Sequence, residues 1–278
     1  MDAIITKDVI SGFKASLIED EKSAATIEKY IRAVNGLSEF ADGREITKCL
    51  VMEYKADLLA QNYTERSINA ILAGINSLMH FMSHDECRVK NFKIQKQIYL
   101  PEEKELTKSE YIKLLDAAGS DRKLRTIMET ICGTGIRVSE LQFFTVEAVS
   151  SGEVHIRNKG KSRVVLVSGK LRKIIANYAK SSGIKTGIIF RNRKGEAIDR
   201  SVVWALMKKL CEKAGVAASK VFPHNLRKLF ARCFYKIEKD IAKLADILGH
   251  SSIDTTRIYI MTSGQEHRRI IEQLGLVV

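Results

Sequence analysis

Residues 248–259 read LGHSSIDTTRIY and set His250 nine positions ahead of Tyr259. Working outward, PHNLR at 223–227 places His224 and Arg227 three apart just after Pro223, on one face of a helix start. Further back, TGIRVSEL at 134–141 carries Arg137 in a turn-like setting with Glu140 three residues on. Between these lie two β-rich runs, 153–157 and 163–167, separated by the polar NKGKS segment with Lys159 near its tip. That is a hairpin signature. The residue types share one chemistry. A guanidinium donates two parallel hydrogen bonds and stays charged, so two of them can bracket the oxygens of a phosphate. A phenol, with a pKa of about 10, needs a cationic pocket and a nearby proton acceptor before it can attack anything.

Taken singly, each residue has a plain alternative. Arg137 or Lys159 alone is a solvated charge. His224 after Pro223 can serve the helix start, and Glu140 is an ordinary i, i+3 partner of Arg137. Tyr259 between Ile258 and Ile260 reads as core packing. Two nucleotide-loop readings fail. GTGIRV at 133–138 lacks a third glycine, and GKS at 160–162 has His155 where a phosphate loop needs glycine and a strand where it needs a helix.

The 278 residues carry a formal charge of +13, which points to a polyanionic partner. Residues 1–98 hold 13 Lys/Arg and 14 Asp/Glu, whereas 99–278 hold 33 and 19, so the whole excess lies in the second part. No apolar run approaches the roughly 18 residues that cross a bilayer, and MDAIITKDVI shows no secretory pattern. Five scattered cysteines without a CxxC pair read as small buried thiols in a reducing compartment, with no zinc site or disulfide framework. A cytoplasmic, nucleoid-associated protein is expected.

Residues 1–98 show four amphipathic stripes at i, i+3, i+4, i+7 spacing, through Phe13, Val34, Val51 and Ile75, with Thr6, Ser23, Thr47 and Thr64 at N-cap positions. Residues 84–106 break the pattern and contain Pro101. The linker is placed at 99–106, and a second domain, 107–278, opens on the capping box of Thr107 and Glu110. Helices are expected over 111–118, 123–132, 171–178, 202–210, 226–234 and 241–248. The tail ends in Ile270, Ile271, Leu274, Leu276, Val277 and Val278, too apolar for a free terminus, and must pack on its own domain or on a neighbour.

The order Arg137, Lys159, His224-x-x-Arg227, His250, Tyr259, with LGH nine residues before the tyrosine, resembles the tyrosine recombinases, or phage-integrase family, and among them the compact Xer-type and simple phage or transposon enzymes. The resemblance spans nearly the whole chain. It implies a mainly α fold with a small β-sheet: a two-domain clamp with an N-terminal four-helix, SAM-like core-binding domain and a C-terminal catalytic domain. It implies a site-specific recombinase working through a covalent 3′-phosphotyrosine and a Holliday junction. Tyr259 matches the nucleophile, Arg137 and Arg227 the phosphate clamps, and Lys159 the residue that protonates the leaving 5′-oxygen, with Lys161 as a second candidate. His224 and His250 match the acid/base and phosphate-binding histidines, and Glu140 the supporting acid. Lys228 stands where many relatives have histidine.

The helices at 24–40 and 64–82 match those laid against DNA in the family, with Lys29, Arg32, Arg66 and Asn69 as contact candidates, joined by Lys161, Arg163 and Lys228. Double-stranded DNA with inverted-repeat core sites is the implied partner. A homo-tetramer on two sites, a C-terminal exchange helix at about 265–278 and an optional accessory DNA-bending factor are implied as well; no cofactor or metal is expected. Two rivals remain: an inactive architectural DNA-binding protein on the same fold, and a type IB topoisomerase-like relaxing enzyme.

Overall fold

Thr6, Ser23, Thr47 and Thr64 each turn a side-chain oxygen onto a backbone N–H of the following helix, satisfying a donor that the first turn leaves unpaired. They open α1 (Lys7–Glu19), α2 (Ala24–Ala41), α3 (Lys48–Ala60) and α4 (Glu65–Phe81). The computed structural model describes residues 4–95, 105–158, 161–261 and 264–275, with backbone alone at 158, 161, 264–267 and 270. The chain divides into two compact units, Met1–Lys96 and Gln97–Val278.

In the first unit the apolar stripes of the four helices converge on one core around Phe13, Leu17, Val34, Leu37, Leu72 and Ile75. Each such side chain contributes roughly 1.5–3 kcal/mol by leaving water. The break in periodicity after α4 is only partly a linker. A 3-10 turn, Asp85–Cys87, leads into an extended strap at 88–95 that α4 holds with two asparagines. Asn76 donates to the Val89 carbonyl at 3.0 Å and accepts its N–H at 3.1 Å. Asn69 does the same with Phe92, at 2.9 and 2.8 Å. Cys87 and Val89 are buried here, so this stretch belongs to the core.

The second unit opens before residue 107. Leu106 is fully buried in its core and Arg232 donates to the Leu106 carbonyl at 2.6 Å, so the end of the expected linker 99–106 is structural; residues 99–104 lie outside the described ones. The Thr107–Glu110 capping box is formed and starts α5 (Lys108–Ala118). Then come α6 (Arg122–Thr134), a 3-10 helix (Val138–Phe143), α7 (Val146–Ser151), β1 (Glu153–Asn158), β2 (Lys161–Leu166) and α8 (Gly169–Ser181). After these follow α9 (Arg200–Lys209), α10 (Cys211–Ala214), a 3-10 turn (Ala218–Lys220), α11 (Pro223–Glu238), α12 (Ile241–Leu248), α13 (Ile253–Ile260) and α14 (Gly264–Gln273).

β1 and β2 pair antiparallel, Val154 opposite Val165 and Asn158 opposite Lys161. Val154, Ile156 and Val165 face the core, while His155, Val164 and Leu166 are exposed, the period-two alternation of a half-buried ribbon. The strands take in Asn158, Lys161 and Ser162 of the expected NKGKS loop, and residues 159–160 lie outside the described ones. Not every cysteine is buried: Cys49 and Cys233 are exposed. No helix among the described residues is long and apolar enough to cross a membrane.

Candidate functional site

The site is assembled where α6 ends, α11 begins and the α12–α13 turn crosses between them. Gly135 caps α6 in the left-handed region, φ 67°, and a Cβ there would stand 2.3 Å from the Phe230 ring; only glycine lets α11 come this close. Gly249 caps α12 in the same conformation, and a Cβ would meet Arg163 at 2.8 Å. The two freed carbonyl neighbourhoods hold the second arginine. Arg227, one turn into α11, is 1% exposed. It donates from Nη1 to the Gly135 carbonyl at 2.6 Å and from Nη2 to the Leu248 carbonyl at 2.7 Å. Its Nη2 also lies 2.8 Å from His250 Nε2. Its Nε–H is buried and meets no acceptor among the described residues. Burial and the like charge of Arg137 push its pKa down to about 10, so it remains a cation at neutral pH.

Arg137 is differently held. It caps the 3-10 helix, and Glu140 accepts its backbone N–H at 2.7 Å and its Nη1 at 3.1 Å. Its Nη2 reaches the Gly249 carbonyl at 3.5 Å, and 39% of its side chain stays open to solvent. Glu140 is 1% exposed. Its other partner is Arg163 of β2, whose Nη1 and Nη2 donate to the two carboxylate oxygens at 2.9 and 2.7 Å. Burial alone would raise the Glu140 pKa, but the hydrogen bonds from Arg163 and the Arg137 backbone, with both positive charges, hold it below the ordinary value. Arg163, a DNA-contact candidate from sequence, is thus committed to a buried ion pair.

Tyr259 lies on α13 and is 6% exposed. The rings of His224 and His250 meet it edge-on, with centroids at 5.2 and 5.1 Å and interplanar angles of 81° and 77°. The Arg227 guanidinium carbon stands 6.0 Å from the same ring centroid. Both histidines are pressed down to about 4, first by burial and then by Lys228, Arg227 and Arg137 around His224 and by Arg227, Arg137 and Arg163 around His250. His224 keeps an exposed face, where solvent offsets part of that effect. Both imidazoles are neutral at pH 7.

Five of the six catalytic candidates therefore converge: Arg137, His224, Arg227, His250 and Tyr259. Lys159 lies outside the described residues, as does the side chain of Lys161. Lys228 is half-buried and adds its charge to the His224 environment. In the first unit, Lys29, Arg32 and Arg66 are exposed, Arg32 pairing with Glu28 at 2.6 Å. Asn69 is occupied by the Phe92 backbone. Sequence reasoning missed Thr256, fully buried on α13 with Oγ1 2.9 Å from His250 Nδ1; its spacing from His250 is the only sequence trace of that contact.

The phage integrase family profile matches residues 104–266, more than half of the chain. The chain belongs to this family. Among its relatives, a tyrosine recombinase XerA of Pyrococcus horikoshii is 30% identical over 99% of this chain and 96% of its own length. The fold is likewise that of solved integrases. A lambda integrase dimer bound to a core site superposes with a TM-score of 0.75 at 17% identity, covering 94% of this chain and 96% of that one. A lambda integrase tetramer bound to a Holliday junction gives 0.72 at 17% identity, covering 91% and 76%. Among the described residues helices predominate and the sheet of the second unit has two strands.

Proposed function

We propose that this phage-integrase family member cleaves and rejoins DNA at a specific site by attack of Tyr259 on a backbone phosphate. One observation carries the reading: the Tyr259 ring is enclosed by two neutral histidines and a buried arginine, with a second, solvent-open arginine on the same pocket. Arg227, with an unsatisfied Nε–H, and Arg137 bind the non-bridging oxygens and hold the charge of the pentavalent transition state. The phenolic oxygen bonds to phosphorus, its proton passes to a neutral imidazole, and the bond to the 5′-oxygen breaks. That oxygen leaves as a hydroxyl with a proton from Lys159. One phosphodiester is exchanged for a 3′-phosphotyrosine, so the bond energy is conserved and the reverse attack rejoins the strand.

The partner is double-stranded DNA with inverted-repeat core sites, touched outside the pocket by Lys29, Arg32 and Arg66. Four protomers pair two sites and pass through a Holliday junction, the species on which the related lambda integrase tetramer was solved. Ile271 and Leu274 on and just after α14 are 52% and 59% exposed, and this uncovered apolar surface supports docking of the tail on a neighbour. The test is a covalent trap. Wild type on a nicked suicide DNA carrying its own site should give a slow-migrating protein–DNA adduct, and Tyr259→Phe none. Absence of the adduct with wild type would refute the catalytic reading and leave the architectural one; an adduct with Tyr259→Phe would refute the choice of nucleophile. Truncation after Gln265 should weaken cleavage more than binding.

A further inference from the structure

Thr256 is fully buried on α13, one helical turn before Tyr259. Its Oγ1 lies 2.9 Å from Nδ1 of His250, and the other ring nitrogen, Nε2, lies 2.8 Å from Nη2 of Arg227. These two contacts fix where the imidazole proton sits. A guanidinium has only N–H groups to offer, so Nε2 must present its lone pair to Arg227. A neutral imidazole has one N–H, which is then on Nδ1 and points at Thr256, whose hydroxyl oxygen accepts it. A doubly protonated ring would set an N–H against the arginine, and the opposite tautomer would do the same.

We propose that Thr256 is a positioning residue for strand cleavage: by accepting the Nδ1 proton of His250 it holds the basic nitrogen, Nε2, on the pocket side next to Arg227 and Tyr259. Burial and the surrounding arginines keep the ring uncharged at neutral pH, which is the condition the tautomer argument needs. When a bound phosphate draws the Arg227 guanidinium away from the ring, Nε2 is released as an acceptor on an imidazole whose centroid stands 5.1 Å from that of Tyr259. Because Thr256 and Tyr259 share one turn of α13, seating that helix orients the nucleophile and sets the histidine in a single event. A shift of α13 withdraws the phenol and frees the imidazole together. As far as it concerns cleavage, this inference rests on the recombinase reading above; the position of the ring proton does not.

The test separates the two. Thr256→Val removes the acceptor at nearly constant volume, and Thr256→Ser retains it. Imidazole 15N resonances of the DNA-free protein, with His250 assigned by difference against His250→Gln, should show the Nδ1–H tautomer in wild type and Thr256→Ser. Thr256→Val leaves the Nδ1–H without its acceptor while Arg227 still faces Nε2, so the preference should weaken measurably rather than invert. In single-turnover cleavage of suicide DNA the valine variant should be about tenfold slower, the worth of one neutral hydrogen bond, with DNA affinity unchanged and the serine variant restored. A wild-type Nε2–H tautomer, a tautomer indifferent to Thr256→Val, or a serine variant no better than valine overturns the proposal. If the tautomer responds as stated but wild type forms no adduct with DNA, the recombinase reading falls and the role in cleavage with it, while the assigned hydrogen bond stands.

Discussion

Arg163 and Glu140 meet end to end, both terminal nitrogens of one on the two oxygens of the other at 2.9 and 2.7 Å, across 23 residues of sequence. Glu140 also fixes Arg137, so β2 and Arg137 are tied through one buried carboxylate. Removing Arg163 leaves that carboxylate with a single, partly exposed cation. Arg163→Met should therefore destabilise the second unit by about 3–5 kcal/mol, measured by urea unfolding at pH 7.5. Since Glu140 is held below its ordinary pKa, its contribution is full above the unfolded value, 4.5, and is lost as pH falls through the lower folded value. The gap between wild type and Glu140→Gln should narrow as pH drops below 4.5; a gap constant with pH would show that the ion pair is not the source.

The two pocket arginines should respond differently to truncation. Arg227 ties the ends of α6 and α12 together through carbonyls, and losing it strands two buried acceptors at about 1–3 kcal/mol each. Arg137 is partly solvent-open, and Glu140 keeps Arg163 without it. Arg227→Ala should lose both stability and cleavage, whereas Arg137→Ala should lose cleavage with little change in the urea midpoint. Equal destabilisation by the two would overturn this division of labour.

The histidines set a pH signature. With both pressed to about 4, the unfolded chain binds more protons than the folded one between about 4 and the ordinary 6.5, so stability rises with pH across that window and is complete above it. His250, half-buried, should dominate, because the exposed face of His224 is screened. The urea midpoint of wild type should fall from pH 7 to pH 5, and that of His250→Gln should fall less. Cleavage rates should stay flat through pH 6.5; an inflection there would mean that the rings titrate normally.

How much of this was legible in the sequence depends on where each residue finds its partner. The four helices of the first unit announce themselves because their apolar residues recur every 3.6 positions and Thr6, Ser23, Thr47 and Thr64 cap them locally. α7 has only 6 residues, and α13, though as long as α12, opens Ile253-Asp254-Thr255-Thr256-Arg257 with little apolar periodicity, so the sequence shows Tyr259 without its helix. The pocket residues were legible as an ordered set, whereas Arg163 looked like a DNA contact because its partner, Glu140, sits on a distant segment. Cys49 adjoins the buried Leu50, but successive side chains on a helix point about 100° apart, so Cys49 faces solvent. Thr256 needed the His250 ring in place before its role could be seen.

Asn69 tests the same point in the first unit. The extended strap has no periodicity, because its hydrogen bonds run to two side chains spaced two turns apart on α4 rather than to a neighbouring strand. Each clamp pairs one backbone N–H and one carbonyl with both ends of an amide, and alanine would leave those groups to water or unpaired. Lys55 adds to the Phe92 end, its ammonium 3.9 Å from the ring centroid, within cation–π range. Asn69→Ala should lower the stability of the first unit by about 1–3 kcal/mol and speed proteolysis within residues 88–95. Discrimination between its own DNA site and single-base variants should be unchanged, whereas Arg66→Ala should weaken binding and leave proteolysis as it was. Altered base preference with an intact strap would return Asn69 to the DNA surface.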